Sequence, residues 1–313
     1  MTKISLLSTS LAAMLGALLP ATPAQAIPKT FVSSTGGGTA CTFTAPCNNF
    51  TAAYNATDSG GEIACLDSGF FQGTGILKPI TIDCAGTGAT VFDGFNINAA
   101  GSTVVIRNLT FDGVGTANLG IVFENGAALI VENCVFANYT TGFGIGILFR
   151  APTPARLVVT NSRFTGNGTN AATGGGIVVR PGAGGTALVA LDRVTVAKNV
   201  FGIVADGTGS TGGINMTVSD SISAGNSQDG VIAVTPSGGA PIGVMVKNTR
   251  SINNAIGIRS IGPNVTVRVS NSTVIGNGTG LSFGSGGALL TFGNNEVQAN
   301  GNNGAFSGSV GLQ

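Results

Sequence analysis

Histidine and tryptophan are absent from the 313 residues, and charged side chains make up only 9% of them. Without His and without a C-x-x-C pair, a bound structural metal is not expected. Basic and acidic residues, 14 and 13, nearly cancel, so general binding to nucleic acid is not expected either. What the sequence has in abundance is glycine, 51 residues, beside a hydrophobic content of 43%. That much apolar side chain argues against disorder.

The first 26 residues have the features of a signal peptide. Lys3 gives a positive start, the run from Ile4 to Pro20 is apolar, and Ala24-Gln25-Ala26 has the A-x-A form of a cleavage site. The apolar run is short for a membrane anchor, and no second long one follows. We predict cleavage after Ala26 and a secreted or periplasmic mature protein without an integral membrane segment.

A repeat extends over most of the remaining chain. It is centred on one position in each coil, which we call the corner column. Asn occupies this position at Asn108, Asn133, Asn161, Asn248, Asn271 and Asn294. In the two remaining coils the position is taken by Arg193 and Asp220. The residues two and four positions before each member are apolar, as in Val131 and Leu129 before Asn133. Apolar residues with a period of two predict a half-buried strand.

The corner column recurs at intervals of 23 to 32 residues, which is typical of a solenoid. A leucine-rich repeat would need a Leu consensus and a helix in each repeat, whereas these connections are rich in Gly, Ser, Thr and Asn. We therefore predict an all-β, single-domain, right-handed parallel β-helix. The Asn residues would tolerate left-handed backbone at the corners and form a buried structural ladder of amides from coil to coil.

Two further columns follow each corner. A second Asn column stands six residues later: Asn167, Asn199, Asn226, Asn254, Asn277 and Asn300. A Gly column then begins another strand: Gly94, Gly120, Gly146, Gly176, Gly202, Gly230, Gly257 and Gly280. The coil lengths vary in the loop after this strand, and insertions on one side of a solenoid often mark its binding face.

All five cysteines follow the export signal. Cys65 and Cys84 extend the corner column backward, and stacked strands would place their Cα atoms about 4.8 Å apart, within disulfide range. Cys41 and Cys47 flank a turn at Pro46. We predict the disulfides Cys41–Cys47 and Cys65–Cys84 and a free Cys134.

The domain organisation has three parts: residues 1–26 as the signal peptide, residues 27–60 as an N-terminal cap with a short helix, and residues 61–313 as a β-helix of roughly ten coils. The helix is expected because Phe50, Ala53 and Tyr54 share one helical face, and because a solenoid needs its open end covered. Residues 302–313 show no clear cap.

The strand sequences Lys78-Pro79-Ile80-Thr81-Ile82-Asp83-Cys84 and Val105-Ile106-Arg107-Asn108-Leu109-Thr110-Phe111 resemble those of the pectin-lyase-like superfamily. The layout from Pro46 through Gln313 is similar to uncharacterised exported bacterial right-handed β-helix repeat proteins. The resemblance implies a fold and not an activity, because the superfamily includes lyases, galacturonases, methylesterases, tailspikes and adhesins.

The residues give little support to catalysis. A galacturonase-like hydrolase would need clustered carboxylates, and the resemblance implies a His beside them. Here His is absent, and the carboxylates are spread along the repeat at Asp192, Asp206, Asp220 and Asp229. A lyase of this fold would resemble relatives that use calcium and a basic residue, the only setting in which we expect a cofactor. The outward residues Arg107 and Glu132 are interpreted as a surface ion pair.

One group of basic residues remains as a candidate ligand site: Arg150, Arg156, Arg163 and Arg180, with few carboxylates expected nearby. Such a strip could hold an anionic polysaccharide by bidentate contacts, while scattered surface charge is the simpler interpretation. We predict a non-catalytic protein that binds an extracellular polysaccharide or serves a structural role. The alternatives are a polysaccharide lyase or hydrolase with its site in residues 150–215, and an adhesin.

Overall fold

The computed structural model describes residues 27–169 and 174–311, so the predicted signal peptide lies outside the described residues. The described chain is a parallel β-helix with one short helix, which confirms the predicted fold class. Its strands form three sheets of 12, 10 and 9 strands, named here sheet 1, sheet 2 and sheet 3.

Every pair of neighbouring strands is parallel, as in Ala128–Glu132 beside Ala155–Thr160. The strands of sheet 1 are Ile27–Val32, Thr57–Cys65, Ile80–Asp83, Thr103–Arg107, Ala128–Glu132, Ala155–Thr160, Thr186–Asp192, Gly213–Ser219, Ile242–Lys247, Val265–Ser270, Ala288–Thr291 and Gly308–Ser309. Those of sheet 2 are Phe70–Phe71, Thr90–Val91, Thr110–Asp112, Val135–Ala137, Arg163–Thr165, Thr195–Ala197, Ile222–Ala224, Arg250–Ile252, Thr273–Ile275 and Glu296–Gln298. Those of sheet 3 are Gly75–Ile76, Phe95–Asn98, Leu119–Asn125, Ile145–Phe149, Gly175–Val179, Phe201–Asp206, Asp229–Val234, Ile256–Ile261 and Thr279–Gly284.

Each coil passes through sheet 1, the corner column, sheet 2, a turn, sheet 3 and a loop back to sheet 1. The apolar residues before each corner face inward: Leu129 and Val131 are fully buried and pair in register with their counterparts on both neighbouring coils. Sheet 2 adds a stack of phenylalanine rings, in which Phe136 lies 4.6 Å from Phe111 and 4.7 Å from Phe164 between ring centroids.

The corner column has the predicted left-handed backbone. Asn108, Asn133, Asn161 and Asn271 have φ between 46° and 57°, and so do Arg193 and Asp220. The prediction that these amides are buried is wrong, because a corner side chain points away from the core; Asn133, Asn161, Asn248 and Asn271 are exposed. Neighbouring members still bond, as in Asn133 Nδ2 donating to Asn108 Oδ1 over 2.6 Å.

The buried amide ladder is instead the second Asn column. The backbone N–H and the Nδ2 of Asn199 both donate to Asn226 Oδ1, over 3.0 and 3.2 Å. Asn226 repeats the arrangement with Asn254, and Asn254 with Asn277. These side chains are 2–3% exposed, so the ladder satisfies backbone groups that the turn between sheets 2 and 3 would otherwise leave unpaired.

The Gly column is explained by the close approach of consecutive coils. A Cβ on Gly202 would lie 2.4 Å from the carbonyl oxygen of Gly230, and one on Gly230 would lie 2.7 Å from that of Gly257. Any side chain here would therefore push the coils apart.

The N-terminal end is covered as the sequence predicts. The helix Phe50–Ala56 begins at Asn49, whose side chain accepts a hydrogen bond from the backbone N–H of Ala52, and it buries Phe50, Ala53 and Tyr54. Disulfides join Cys41 to Cys47 and Cys65 to Cys84, both with Cα atoms 4.6 Å apart, and these are the predicted pairs. Cys134 is free and buried, and burial raises the pKa of its thiol to about 12. Two disulfides fit an extracellular protein.

The C-terminal coil differs from the prediction in register. Leu289 pairs with Val267 and Thr291 with Val269, so the inward residues are not Leu290 and Phe292. Gly293 takes the left-handed corner at φ 85° and Asn294 follows it as an extra residue. Beyond this corner a cap forms: Phe306 packs on the core, and the N–H of Leu281 bonds to the carbonyl of Asn303 over 3.0 Å.

Candidate functional site on the outer face of sheet 3

The outer face of sheet 3 carries a row of aliphatic side chains that is separate from the core. The row comprises Val122, Leu148, Val178, Val204 and Ile232, each at most 8% exposed, and we call it the aliphatic row. It packs against Ile145, Leu119 and Phe201, which stand three residues earlier in their strands. Five coils at about 4.8 Å make the row about 20 Å long.

Sequence reasoning missed this row, although the sequence carries a signal for it. The strand starts Gly-Ile-Val-Phe at 120–123 and Gly-Ile-Leu-Phe at 146–149 are apolar at consecutive positions, without the alternation of a half-buried strand. Continuous apolar runs indicate a strand covered on both faces.

A column of charged residues borders the aliphatic row at the ends of four successive strands. It consists of Glu124, Arg150, Arg180 and Asp206, and we call it the charged margin. Arg150 Nε donates to Glu124 Oε2 over 2.7 Å, and Arg180 Nε donates to Asp206 Oδ2 over 2.7 Å. Hydrogen bonding to Glu124 raises the pKa of the Arg150 guanidinium.

The two arginines of the charged margin are direct neighbours. Phe149 pairs with Val179, and the N–H of Arg180 donates to the carbonyl of Phe149 over 2.8 Å. The order of charge along the column is therefore negative, positive, positive, negative. Arg150 bonds to Glu124 on the preceding coil and Arg180 to Asp206 on the following coil, so the two arginine residues are neighbours in the middle of the column.

The four arginines predicted as one strip do not share a face. Arg150 and Arg180 border sheet 3, whereas Arg156 lies in a strand of sheet 1 and Arg163 in a strand of sheet 2. Both of the latter are exposed. The expectation of few nearby carboxylates is wrong for Arg150 and Arg180, because the register of sheet 3 places Glu124 and Asp206 beside them.

The N-terminal end of the same face opens into a groove of about 490 Å³. Its lining includes Asp93, Asn96 and Asn118, with Leu119 and Val122 continuing into the aliphatic row. Asn118 Oδ1 accepts hydrogen bonds from the N–H groups of Phe143 and Gly144 over 2.6 and 3.3 Å. The groove is therefore polar at its entrance and apolar where it meets the row.

The C-terminal end of the aliphatic row carries a buried ion pair. Asp229 occupies the position of Phe201 and Ile256 on its neighbouring coils, and its side chain is fully buried. Arg259, which pairs in register with Ile232, donates from Nη2 to Asp229 Oδ2. Burial raises the pKa of Asp229 to about 6, although the positive charge of Arg259 and its hydrogen bond lower it.

Three further expectations concern the described residues: the Arg107–Glu132 ion pair, metal-binding groups and membrane-spanning helices. Arg107 Nε lies 3.1 Å from Glu132 Oε2, and both side chains are more than 40% exposed, so this surface ion pair is present as expected. Among residues 27–169 and 174–311, no group of three or more Cys, Asp or Glu is placed to hold a metal ion. Within the same ranges, no helix has the length and apolar character needed to cross a bilayer.

The comparison with family models agrees with the fold. A family described as "Right handed beta helix region" matches residues 93–242. A pectate lyase, Pel9A, aligns at a TM-score of 0.44 and 16% identity over 86% of this chain and 76% of that chain. The A-module of the mannuronan C-5 epimerase AlgE4 of Azotobacter vinelandii aligns at a TM-score of 0.33 and 12% identity over 81% of this chain and 91% of that chain. No curated protein matches the sequence.

Proposed function

We propose that this chain is an exported β-helix protein that binds an anionic polysaccharide along the outer face of sheet 3 without cleaving it. Export follows from the signal-peptide features of residues 1–26, with cleavage after Ala26. The two disulfides fit an oxidising compartment.

The observation that carries the binding proposal is the placement of Arg150 and Arg180 on consecutive coils beside the aliphatic row. A guanidinium group offers planar, paired donors suited to a carboxylate. Arg150 bonds to Glu124 through both Nε and Nη2, and Arg180 bonds to Asp206 through Nε. The donors that these bonds do not use are Nη1 of Arg150 and the two Nη groups of Arg180. A uronate carboxylate between the two arginines would meet donors from both.

Binding without cleavage is favoured because three carboxylates of this face, those beside the aliphatic row, are engaged by arginines. Hydrolysis by paired carboxyl groups requires two of them on either side of one glycosidic bond, about 5–9.5 Å apart. Glu124, Asp206 and Asp229 each hold a separate arginine, which suits a binding surface better than an acid–base pair.

The test is the affinity of the protein for galacturonate and mannuronate oligomers by isothermal titration calorimetry. We expect Arg150→Gln with Arg180→Gln to weaken binding at least tenfold, because two charge-assisted contacts are lost. The matched control, Arg156→Gln with Arg163→Gln, removes two exposed arginines from other sheets and should leave the affinity unchanged. An equal loss in both double variants would refute the proposed site.

One observation favours a second candidate, a polysaccharide lyase or hydrolase. A carboxyl group that holds its proton up to pH about 6, as Asp229 does, has a pKa suited to acid–base catalysis. Incubation with pectin and alginate, with and without added calcium, tests this candidate. Appearance of unsaturated or reducing ends that Asp229→Asn abolishes would establish it and would remove the non-catalytic part of the proposal.

A further inference from the structure

The buried ion pair on sheet 3 contains two atoms whose hydrogen-bonding capacity is unused. Within the described residues, Asp229 Oδ1 and Arg259 Nε are both buried and have no hydrogen-bond partner. An unsatisfied buried polar atom costs about 1–3 kcal/mol, more when it is charged. Such atoms are rare in folded proteins, and each one calls for a partner.

The pair belongs to the outer face and not to the core. Arg259 continues the column of the aliphatic row directly after Ile232. The Arg259 side chain remains 25% exposed, whereas that of Asp229 is fully covered. A ligand on the row would reach the two unused atoms only with a movement of the Arg259 side chain, which is the partly exposed member of the pair.

The unused atoms define the chemistry of that partner. Asp229 Oδ1 is an acceptor and Arg259 Nε is a donor, so a group that both donates and accepts satisfies the two together. A hydroxyl group does this. An anion would meet the negative charge of Asp229, and a cation would meet the positive charge of Arg259, so the pair disfavours ions of either sign.

We propose that Asp229 and Arg259 form a subsite for a neutral sugar residue at the C-terminal end of the aliphatic row. One sugar hydroxyl donates to Asp229 Oδ1 and accepts from Arg259 Nε, while the C–H face of the ring lies against the partly exposed Phe201. This inference rests on the proposed polysaccharide-binding function. It adds that the polymer carries neutral residues as well as the anionic residues held by Arg150 and Arg180.

The experiment compares two sets of oligomers by isothermal titration calorimetry: neutral xylo-, manno-, gluco- and galacto-hexaoses, and galacturonate and mannuronate hexamers. The deciding variant is Arg259→Lys, which keeps a positive charge beside Asp229 but removes the Nε donor. Asp229→Asn is the second variant, and Asp192→Asn, which alters the partly exposed Asp192–Arg193 pair of sheet 1 and its corner, is the control. Thermal melting establishes that each variant is folded.

We expect at least one neutral hexaose to bind, with an affinity that falls at least tenfold in Arg259→Lys and in Asp229→Asn and is unchanged in Asp192→Asn. Uronate binding should be retained in all three variants. If uronates bind but no neutral hexaose does, the subsite is refuted while the proposed function stands. If the folded Arg259→Lys variant binds the neutral hexaose with the affinity of the wild type, the subsite is also refuted. An ordered water would then be the partner of Asp229 Oδ1 and Arg259 Nε. If no oligomer of either set binds, both proposals fail.

Discussion

The inner column of sheet 2 is built in two different ways along the molecule. In the N-terminal part, Phe111, Phe136 and Phe164 stack ring on ring. In the C-terminal part, the same column contains Ser223 and Ser251. Their hydroxyl groups donate to the carbonyls of Gly230 and Gly257 over 2.9 Å and accept from amides of the buried ladder.

The difference shows that one backbone geometry accepts two kinds of interior. The aromatic part is stabilised by apolar area and ring contacts, which depend little on direction. The polar part is stabilised by hydrogen bonds, which lose most of their value when one partner is removed. Substitutions in the two parts should therefore differ in size and in their dependence on solution conditions.

The largest effect is expected at the centre of the aromatic stack. Phe136→Ala removes ring contacts with both neighbours and leaves a cavity, at an expected cost of about 3–5 kcal/mol of unfolding free energy. Ser223→Ala, two coils beyond the stack, should cost about 1 kcal/mol. Denaturation by guanidinium chloride, followed by circular dichroism, measures both; equal losses would show that the two interiors are not energetically distinct.

The pH dependence of stability should differ next, because the C-terminal part also buries Asp229. Its pKa is about 6 in the folded chain and about 4 in an unfolded one. The folded state then binds the proton more tightly, and unfolding free energy falls by up to about 3 kcal/mol as pH rises from about 4 to about 6. Asp229→Asn should remove this slope. Denaturation midpoints measured between pH about 4 and about 6 give the slope of unfolding free energy against pH. If the Asp229→Asn variant keeps the slope of the wild type, the pH dependence does not come from Asp229.

The buried amide ladder is expected to be the next most sensitive feature. Asn226→Ala removes the acceptor of the Asn199 backbone N–H and side chain, so buried donors are left unpaired at a cost of about 2–3 kcal/mol. Hydrogen exchange of the Asn199 amide should accelerate at the same time. Unchanged protection would mean that another group replaces the lost acceptor.

The smallest effect is expected at the exposed corner column. Asn133→Ala places an alanine at φ 52°, at a cost of about 1 kcal/mol. Asn133→Gly should recover most of this loss, since glycine accepts that backbone region. The same denaturation measurement applies. A loss in Asn133→Ala as large as in Asn226→Ala would indicate that the exposed and buried amides contribute alike.

The fold could be predicted from sequence because its determinants are local and repeated. Leu129 and Val131 show the strand period directly, and Asn133 marks the corner with a residue suited to left-handed backbone. The sequence does not show which of the two Asn columns is buried, because burial depends on whether the side chain at each turn points toward the core or away from it. The extra residue at Asn294 also escaped, because Leu290 and Phe292 mimic the apolar spacing of the earlier coils.

The candidate site was harder to predict because it joins residues from separate coils. Glu124 and Arg150 are 26 residues apart, and Arg180 and Asp206 are also 26 apart, so their pairing depends on the length of each intervening loop. Asp229 and Arg259 meet diagonally across two coils, a relation that no column of aligned residues displays. The apolar runs after the Gly column are visible in the sequence. That their outward residues form one continuous row depends on the register of the strands in sheet 3, which the sequence alone does not give.

Coil length varies in two connections, the turns from sheet 2 to sheet 3 and the loops from sheet 3 back to sheet 1, so the expectation of a single variable loop is wrong. The spacing of the coils does not follow this variation. Consecutive coils rise by about 4.8 Å, whatever the number of residues in each loop. Spectroscopic labels placed at 153, 183 and 208 would therefore mark evenly spaced levels along one side. Distances between such labels and a label on a bound polymer would give the position of the polymer and the direction in which its chain runs.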